Sequence, residues 1–187
     1  MKKILKENYI YVLVFIFFFL LLLFFNVRNV DTVWNYGMAH AIRMGEVPYR
    51  DFNIITTPLY AFIMSIFLFL KDTYGVYLLE QAFFCTVLFY FIHRFLKEKT
   101  ILYFFLLSIP FFTIFLPNYN FLAFLLFIII LFCEKEEKSD FLIGFLLGLL
   151  ILTKHTIGVV VLFFSLLSTF QFKRMGKRLL FSLIPIF

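Results

Sequence analysis

The sequence predicts an all-α fold: a polytopic transmembrane helical bundle with about seven crossings and a large extracytoplasmic first loop carrying surface and re-entrant helices. Three observations predict it. The 187-residue chain is 64% hydrophobic, has a mean hydropathy of +1.01 and contains 32 Phe. That is more apolar side chain than a soluble core of this size can enclose, because such a domain still exposes much of its surface. The apolar segments are continuous, as bilayer helices require, and do not alternate over about 10 residues as outer-membrane strands do. The charged residues fall in short clusters between those segments, so the formal charge of +6 is read as membrane topology. No soluble basic surface is left to hold a duplex, which excludes nucleic acid and leaves the lipid bilayer as the expected partner.

The first element follows a basic start, "MKKILKEN", and holds 17 apolar residues from Tyr9 to Phe25. A secretory signal would have a shorter apolar core and a small-residue cleavage site, so this run is read as an uncleaved helix in the cytoplasmic membrane with its N-terminus inside. Further apolar runs cover Pro58–Leu70, Val76–Ile92, Ile101–Leu116, Phe121–Cys133, Phe141–Thr153 and Thr156–Phe170, with a last one starting at Leu179. Cys85 and Cys133 lie in or at the end of these runs without metal or CxxC spacing and are read as buried small hydrophobes.

The side on which every later loop falls depends on Pro58–Leu70. If that run crosses, 12 of the 17 Lys and Arg lie outside; if it does not, 12 lie inside, including those of "HRFLKEK", "EKEEK" and "FKRMGKR". The bias of Lys and Arg toward cytoplasmic loops favours the second arrangement. Its 13 apolar residues also fall short of the roughly 20 that a spanning helix needs, so the run is expected to be interfacial or re-entrant. Residues 26–75 then form one extracytoplasmic loop, inside a single transmembrane domain of residues 1–187. Within it Val30, Val33, Trp34, Gly37, Met38, Ala41 and Ile42 recur at helical spacing, predicting an amphipathic surface helix with Asp31, Asn35, His40 and Arg43 elsewhere around the wheel. Gly45 is the expected stop, and "GEVPY" forces an extended or turning connection, because the residue before Pro disfavours helix.

The second informative stretch is "LLGLLILTKHTIGVVVLFF". The apolar segments flanking "TKHT" hold about 13 and 15 residues, so a helix rising from "EKEEKSD" covers only about 20 Å of a roughly 30 Å apolar layer. Lys154 and His155 therefore sit below the outer surface. A charge there costs on the order of 2.5 to 3.5 kcal/mol and must face water, an anion or a carboxylate. Lys154 either snorkels to the headgroups from a plain helical hairpin or holds a lipid-linked phosphate.

Taken in order, Asp31 after the first helix, "GEVPYRDF" and "TTPLYAF" in the first outer loop, and "LTKHTIG" further on resemble the N-terminal half of the GT-C glycosyltransferases. The similarity is greatest to bacterial enzymes of the aminoarabinose-transferase and protein O-mannosyltransferase type, and its motifs cover residues 31–60 and 144–158. The resemblance implies transfer of a sugar from a polyprenyl-phosphate carrier to a cell-envelope acceptor at the extracytoplasmic face. The acceptor is not implied, and the family leaves room for a divalent cation, although no cluster of ligand residues with metal spacing occurs in the sequence. Such transferases are longer, and this chain stops inside an apolar run at "LLFSLIPIF", so it is expected to be an N-terminal fragment that is inactive alone.

An inverting transfer needs one positioned base to take the acceptor's proton, and Asp31 is the candidate. The leaving lipid phosphate must be met by cations, a role open to Lys154 with His155, Arg43 or Arg50, beside the loop residues Tyr49 and Asp51. Other readings compete. Asp31 is also placed to N-cap the surface helix. Arg50 and Asp51 are adjacent and suit a loop ion pair. Trp34 and Tyr49 suit an interfacial aromatic belt, and His40 suits a solvated position. "PNYN" at 117–120 carries only Asn118 and Asn120 where the family often has another acid. The rival function is non-enzymatic: a lipid-phosphate carrier or flippase half, or an assembly subunit, using the same cation.

Overall fold

The computed structural model describes residues 2–25, 30–54, 57–96, 118–169 and 171–186. Among them are eight helices and no strand: α1 Lys2–Phe25, α2 Val30–Arg43, α3 Leu59–Leu68, α4 Tyr74–Leu96, α5 Tyr119–Lys135, α6 Asp140–Thr153, α7 His155–Thr169 and α8 Phe172–Leu183. The all-α expectation is met. One helix, over Tyr74–Arg94, is long and apolar enough to cross a membrane; Tyr9–Phe24, Leu59–Leu68, Asp140–Thr153 and His155–Thr169 are apolar but shorter. At 10 residues, α3 is about 15 Å long, which agrees with the expectation that this run is too short to span. The run expected over Ile101–Leu116 lies outside the described residues.

The chain divides into two compact units, Met1–Glu46 with Ala61–Asn118, and Val47–Tyr60 with Tyr119–Phe187. In the first, α1 packs along α4. Val14, Phe18 and Leu22, each one turn apart on α1, are buried, as are Leu78, Ala82, Cys85 and Phe89 on α4. The small Ala82 and Cys85 permit close packing along this seam. Both cysteines are free and buried, as read from the sequence.

Helix α2 forms where its periodicity predicts one. Thr32, Asn35, Met38 and Ala39 turn inward, whereas Val30 and Val33 are exposed. The inward face thus carries hydrogen-bonding groups, and part of the apolar stripe lies on the exposed side. Gly45 does end the helix. At φ +92° it lets Glu46 N–H donate to Ala41 O at 3.0 Å and its own N–H to Ile42 O at 3.0 Å, the paired closing bonds that a left-handed residue makes possible. The same closure after α5 uses Glu137 at φ 50°, with Lys138 N–H on Cys133 O at 2.9 Å and Glu137 N–H on Glu134 O at 3.1 Å.

In the second unit α5 and α6 form a hairpin around that turn, α7 returns along α6, and α8 packs along α6. Ser139 starts α6 by accepting from the Leu142 N–H at 3.3 Å, satisfying one of the donors that a helix start leaves open. Asp140 meets Arg174 and Arg178, Gly144 meets Arg178 and Phe181, and Gly148 meets Ser182 and Pro185, so α8 runs parallel to α6. A Cβ on Gly144 would stand 2.7 Å from the Arg178 carbonyl oxygen, which is why this seam is built on a Gly-x-x-x-Gly pair.

The expectation that "FKRMGKR" is a loop before a run starting at Leu179 is corrected: the helix begins at Phe172 and includes the whole basic stretch. Its arginines are neutralised within the unit. Arg178 is fully buried; its NH2 group donates to Glu134 Oε2 at 2.9 Å, its Nε to Asp140 Oδ1 at 2.9 Å, and its NH1 to Ser165 Oγ at 2.7 Å. Arg174 holds the other side of Asp140, Nε to Oδ2 at 3.1 Å. The two guanidinium groups keep the Asp140 carboxyl below its usual range, the hydrogen bond from Arg174 being the largest cause.

Candidate functional site

At the opposite end of the second unit lies the "TKHT" break, and the sequence places it correctly. Helix α6 stops at Thr153, α7 starts at His155, and Lys154 between them is extended at φ −153°, ψ 95°. Its amide still bonds Leu150 O at 2.9 Å and its carbonyl accepts from Gly158 N–H at 2.9 Å, so the chain turns back with its backbone groups satisfied. Gly158 allows the tight return. A Cβ there would lie 2.5 Å from the Ile151 backbone, which accounts for the glycine of "LTKHTIG" by packing.

This turn holds the Lys154 side chain half-buried. Its ammonium donates to Asn120 Oδ1 at 2.6 Å and lies 5.9 Å from the centre of the Tyr119 ring. Both partners come from the first turn of α5, the "PNYN" stretch. Among the described residues no carboxylate is within ion-pairing distance of Lys154. An amide oxygen and a ring face orient an ammonium without cancelling its charge. On the same turn Thr57 Oγ1 donates to the Thr153 carbonyl at 2.7 Å, tying the "TTPLY" segment of the outer loop to the residue before Lys154. His155 is the exposed first residue of α7. Thr57, Tyr119, Asn120 and Lys154, spread over about a hundred positions, thus meet in one unit.

The remaining loop residues satisfy one another. Arg50 grips Asp51 with two parallel bonds, Nε to Oδ1 at 2.9 Å and NH2 to Oδ2 at 2.8 Å, and Asp51 Oδ2 also accepts the Val47 N–H at 2.7 Å. The Arg50 hydrogen bond, followed by the Val47 amide, holds the Asp51 carboxyl down at about 2. Tyr49, at φ 67°, is exposed in this turn, and its N–H donates to Phe52 O at 2.9 Å. The loop ion-pair reading of Arg50 and Asp51 is therefore realised, and their charges are spent on each other.

Arg43 and Asp31 belong to the first unit. Arg43 closes α2, with its Nε donating to Leu68 O at 3.1 Å and its guanidinium 5.6 Å over the Phe69 ring. Asp31 is the second residue of α2, one position inside the helix instead of at its cap; its side chain lies outside the described residues. A further cluster was not foreseen. His40 Nδ1 lies 2.6 Å from Asp72 Oδ2, and Tyr36 donates its hydroxyl to Asp72 Oδ1 at 3.2 Å. His40 is thus a tethered imidazole and not simply a solvated one. Burial, and then the Asp72 charge, push the Tyr36 phenol above its ordinary value.

Among the described residues no group of three His, Cys, Asp or Glu could hold a metal ion. No family model matches the chain, and neither curated proteins nor solved structures provide a match.

Proposed function

We propose that this chain is part of a membrane glycosyltransferase that binds a polyprenyl-phosphate-linked sugar through Lys154 and passes the sugar to a cell-envelope acceptor, with inversion. In this reading the apolar helices make about seven crossings, the N-terminus is cytoplasmic, and the first loop and the Lys154 turn face outward. The observation that carries it is the half-buried Lys154 ammonium, held by Asn120 and the Tyr119 ring and facing no carboxylate among the described residues. An uncompensated cation at the end of two apolar helices suits the phosphate of a lipid carrier, whose negative charge grows as the sugar leaves. Thr57 steadies the carbonyl just before the lysine. Asp31 is the proposed base.

The test is photolabelling of the full chain with a benzophenone-bearing polyprenyl phosphate. Lys154→Gln should lower labelling at least tenfold while leaving the helical content intact. Undiminished labelling sinks the phosphate assignment. Asp31→Asn, placed in a longer active form, separates transferase from carrier: a transferase loses turnover and keeps its lipid, whereas a carrier is unaffected.

A further inference from the structure

Helix α8 has an unusual distribution of charge. Its inward face carries Arg174, Arg178 and Ser182, and both arginines are taken up by Glu134 and Asp140. Its outward face carries Lys173 and Lys177, one turn apart and both exposed, with Leu180 continuing the same flank. Phe172 at 92% exposure and Leu179, Leu180 and Leu183 complete that outward surface. Among the described residues neither lysine has a hydrogen-bond or ion-pair partner. The helix cannot rotate to hide this face, because Gly144 and Gly148 seat its backbone against α6 and the buried guanidinium fixes its angle.

We propose that the first two turns of α8 are a binding site for anionic phospholipid headgroups. The occupant follows from charge and from depth. The two lysines lie level with Asp140, where α6 begins, and the surface then becomes purely apolar through Leu179, Leu180 and Leu183. A molecule that fits this order presents a negative group first and hydrocarbon beyond it. A soluble acidic protein would satisfy the lysines but would leave the leucines uncovered, and a zwitterionic lipid would satisfy the leucines while offering the lysines no net charge. Phe172, at the outer limit, suits the headgroup layer, where aromatic rings collect. The site is separate from the Lys154 turn, and its test does not depend on any sugar chemistry.

The full chain is purified in mild detergent with a mixture of phosphatidylglycerol and phosphatidylcholine, and native mass spectrometry counts the lipids retained. The expected result is preferential retention of phosphatidylglycerol. It should fall about fivefold with each lysine removed in Lys173→Gln and Lys177→Gln, following the attraction of a juxtamembrane cation to an anionic surface. Lys173→Arg with Lys177→Arg should keep it. Removing two exposed charges from the other unit, with Lys71→Gln and Arg94→Gln, should leave it unchanged. Both α8 lysines are exposed, so the variants should retain their helicity by circular dichroism. Equal retention of the two lipids, no response to the double glutamine variant, or an equal response to the control pair would each overturn the proposal.

Discussion

The Lys154 ammonium and the Asn120 amide oxygen are 2.6 Å apart although 34 positions separate them in the chain. The acceptor is neutral, and that determines what the lysine can do. Changing Asn120→Asp would place a carboxylate at the same distance and convert an oriented cation into a closed ion pair. Binding of a polyprenyl phosphate should then weaken about tenfold, comparable to losing one charge-assisted hydrogen bond of 1.5 to 3 kcal/mol. Asn120→Ala, which loosens the lysine without neutralising it, should weaken binding less. A titration of the labelled lipid against both variants checks the order.

Arg178 should behave as a buried charge whose removal is far more damaging than its presence is helpful. Arg178→Met leaves Glu134 without its bidentate partner, and unfolding in a detergent and denaturant series should show a loss of about 3 to 5 kcal/mol. Adding Glu134→Leu should recover much of that loss, because two apolar side chains then replace the pair. A double variant less stable than Arg178→Met would show that Glu134 matters for reasons other than Arg178.

The glycine seam predicts opposite outcomes for two glycine-to-alanine changes. At Gly148 a Cβ would be 2.9 Å from Pro185 Cδ, whereas at Gly176 nothing lies within 4 Å. Gly148→Ala should destabilise by about 1 to 3 kcal/mol through overpacking. Gly176→Ala, on the open side of α8, should stabilise by roughly 0.5 to 1 kcal/mol through helix propensity. Thermal unfolding of the two variants under identical conditions makes the comparison.

The turn after α5 uses a glutamate where glycine is the unstrained choice, Glu137 at φ 50°. Glu137→Gly should therefore raise stability by about 1 kcal/mol, the left-handed penalty of an L side chain less the added entropy of glycine in the unfolded chain. An unchanged or lower midpoint in the same unfolding assay counts against the backbone explanation.

The loop ion pair has an acid limit. Because folding holds the Asp51 carboxyl at about 2, below the ordinary value near 3.9, its contribution to loop order is complete above about pH 4 and disappears as pH falls toward 2. Carboxyl resonances followed by nuclear magnetic resonance should place its midpoint near 2. Arg50→Gln should move that midpoint upward toward the ordinary value.

Much of this arrangement can be read from residue order. The break at Lys154 and the stop at Gly45 were legible because a charge inside an apolar run and a glycine after a helical pattern each have few local solutions. Asn120 was not. A neutral amide in "PNYN" looked like a missing acid, and only the α5–α6 hairpin, which brings Tyr119 and Asn120 over the Lys154 turn, gives it a role. The start of α8 was misplaced because Arg174 and Arg178 were counted as loop cations; their partners, Glu134 and Asp140, are 34 to 44 positions away, beyond any helical periodicity. On α2 hydropathy ranks Val30 and Val33 above Asn35, yet Asn35 is the buried one: periodicity marks an apolar stripe and does not say which side of the helix meets protein.

Arg178 draws its partners from three separate helices, Glu134 on α5, Asp140 on α6 and Ser165 on α7. All three leave the ribosome before it does. Helix α8 can therefore settle only after the other three have been made, and a single side chain then clasps all of them together.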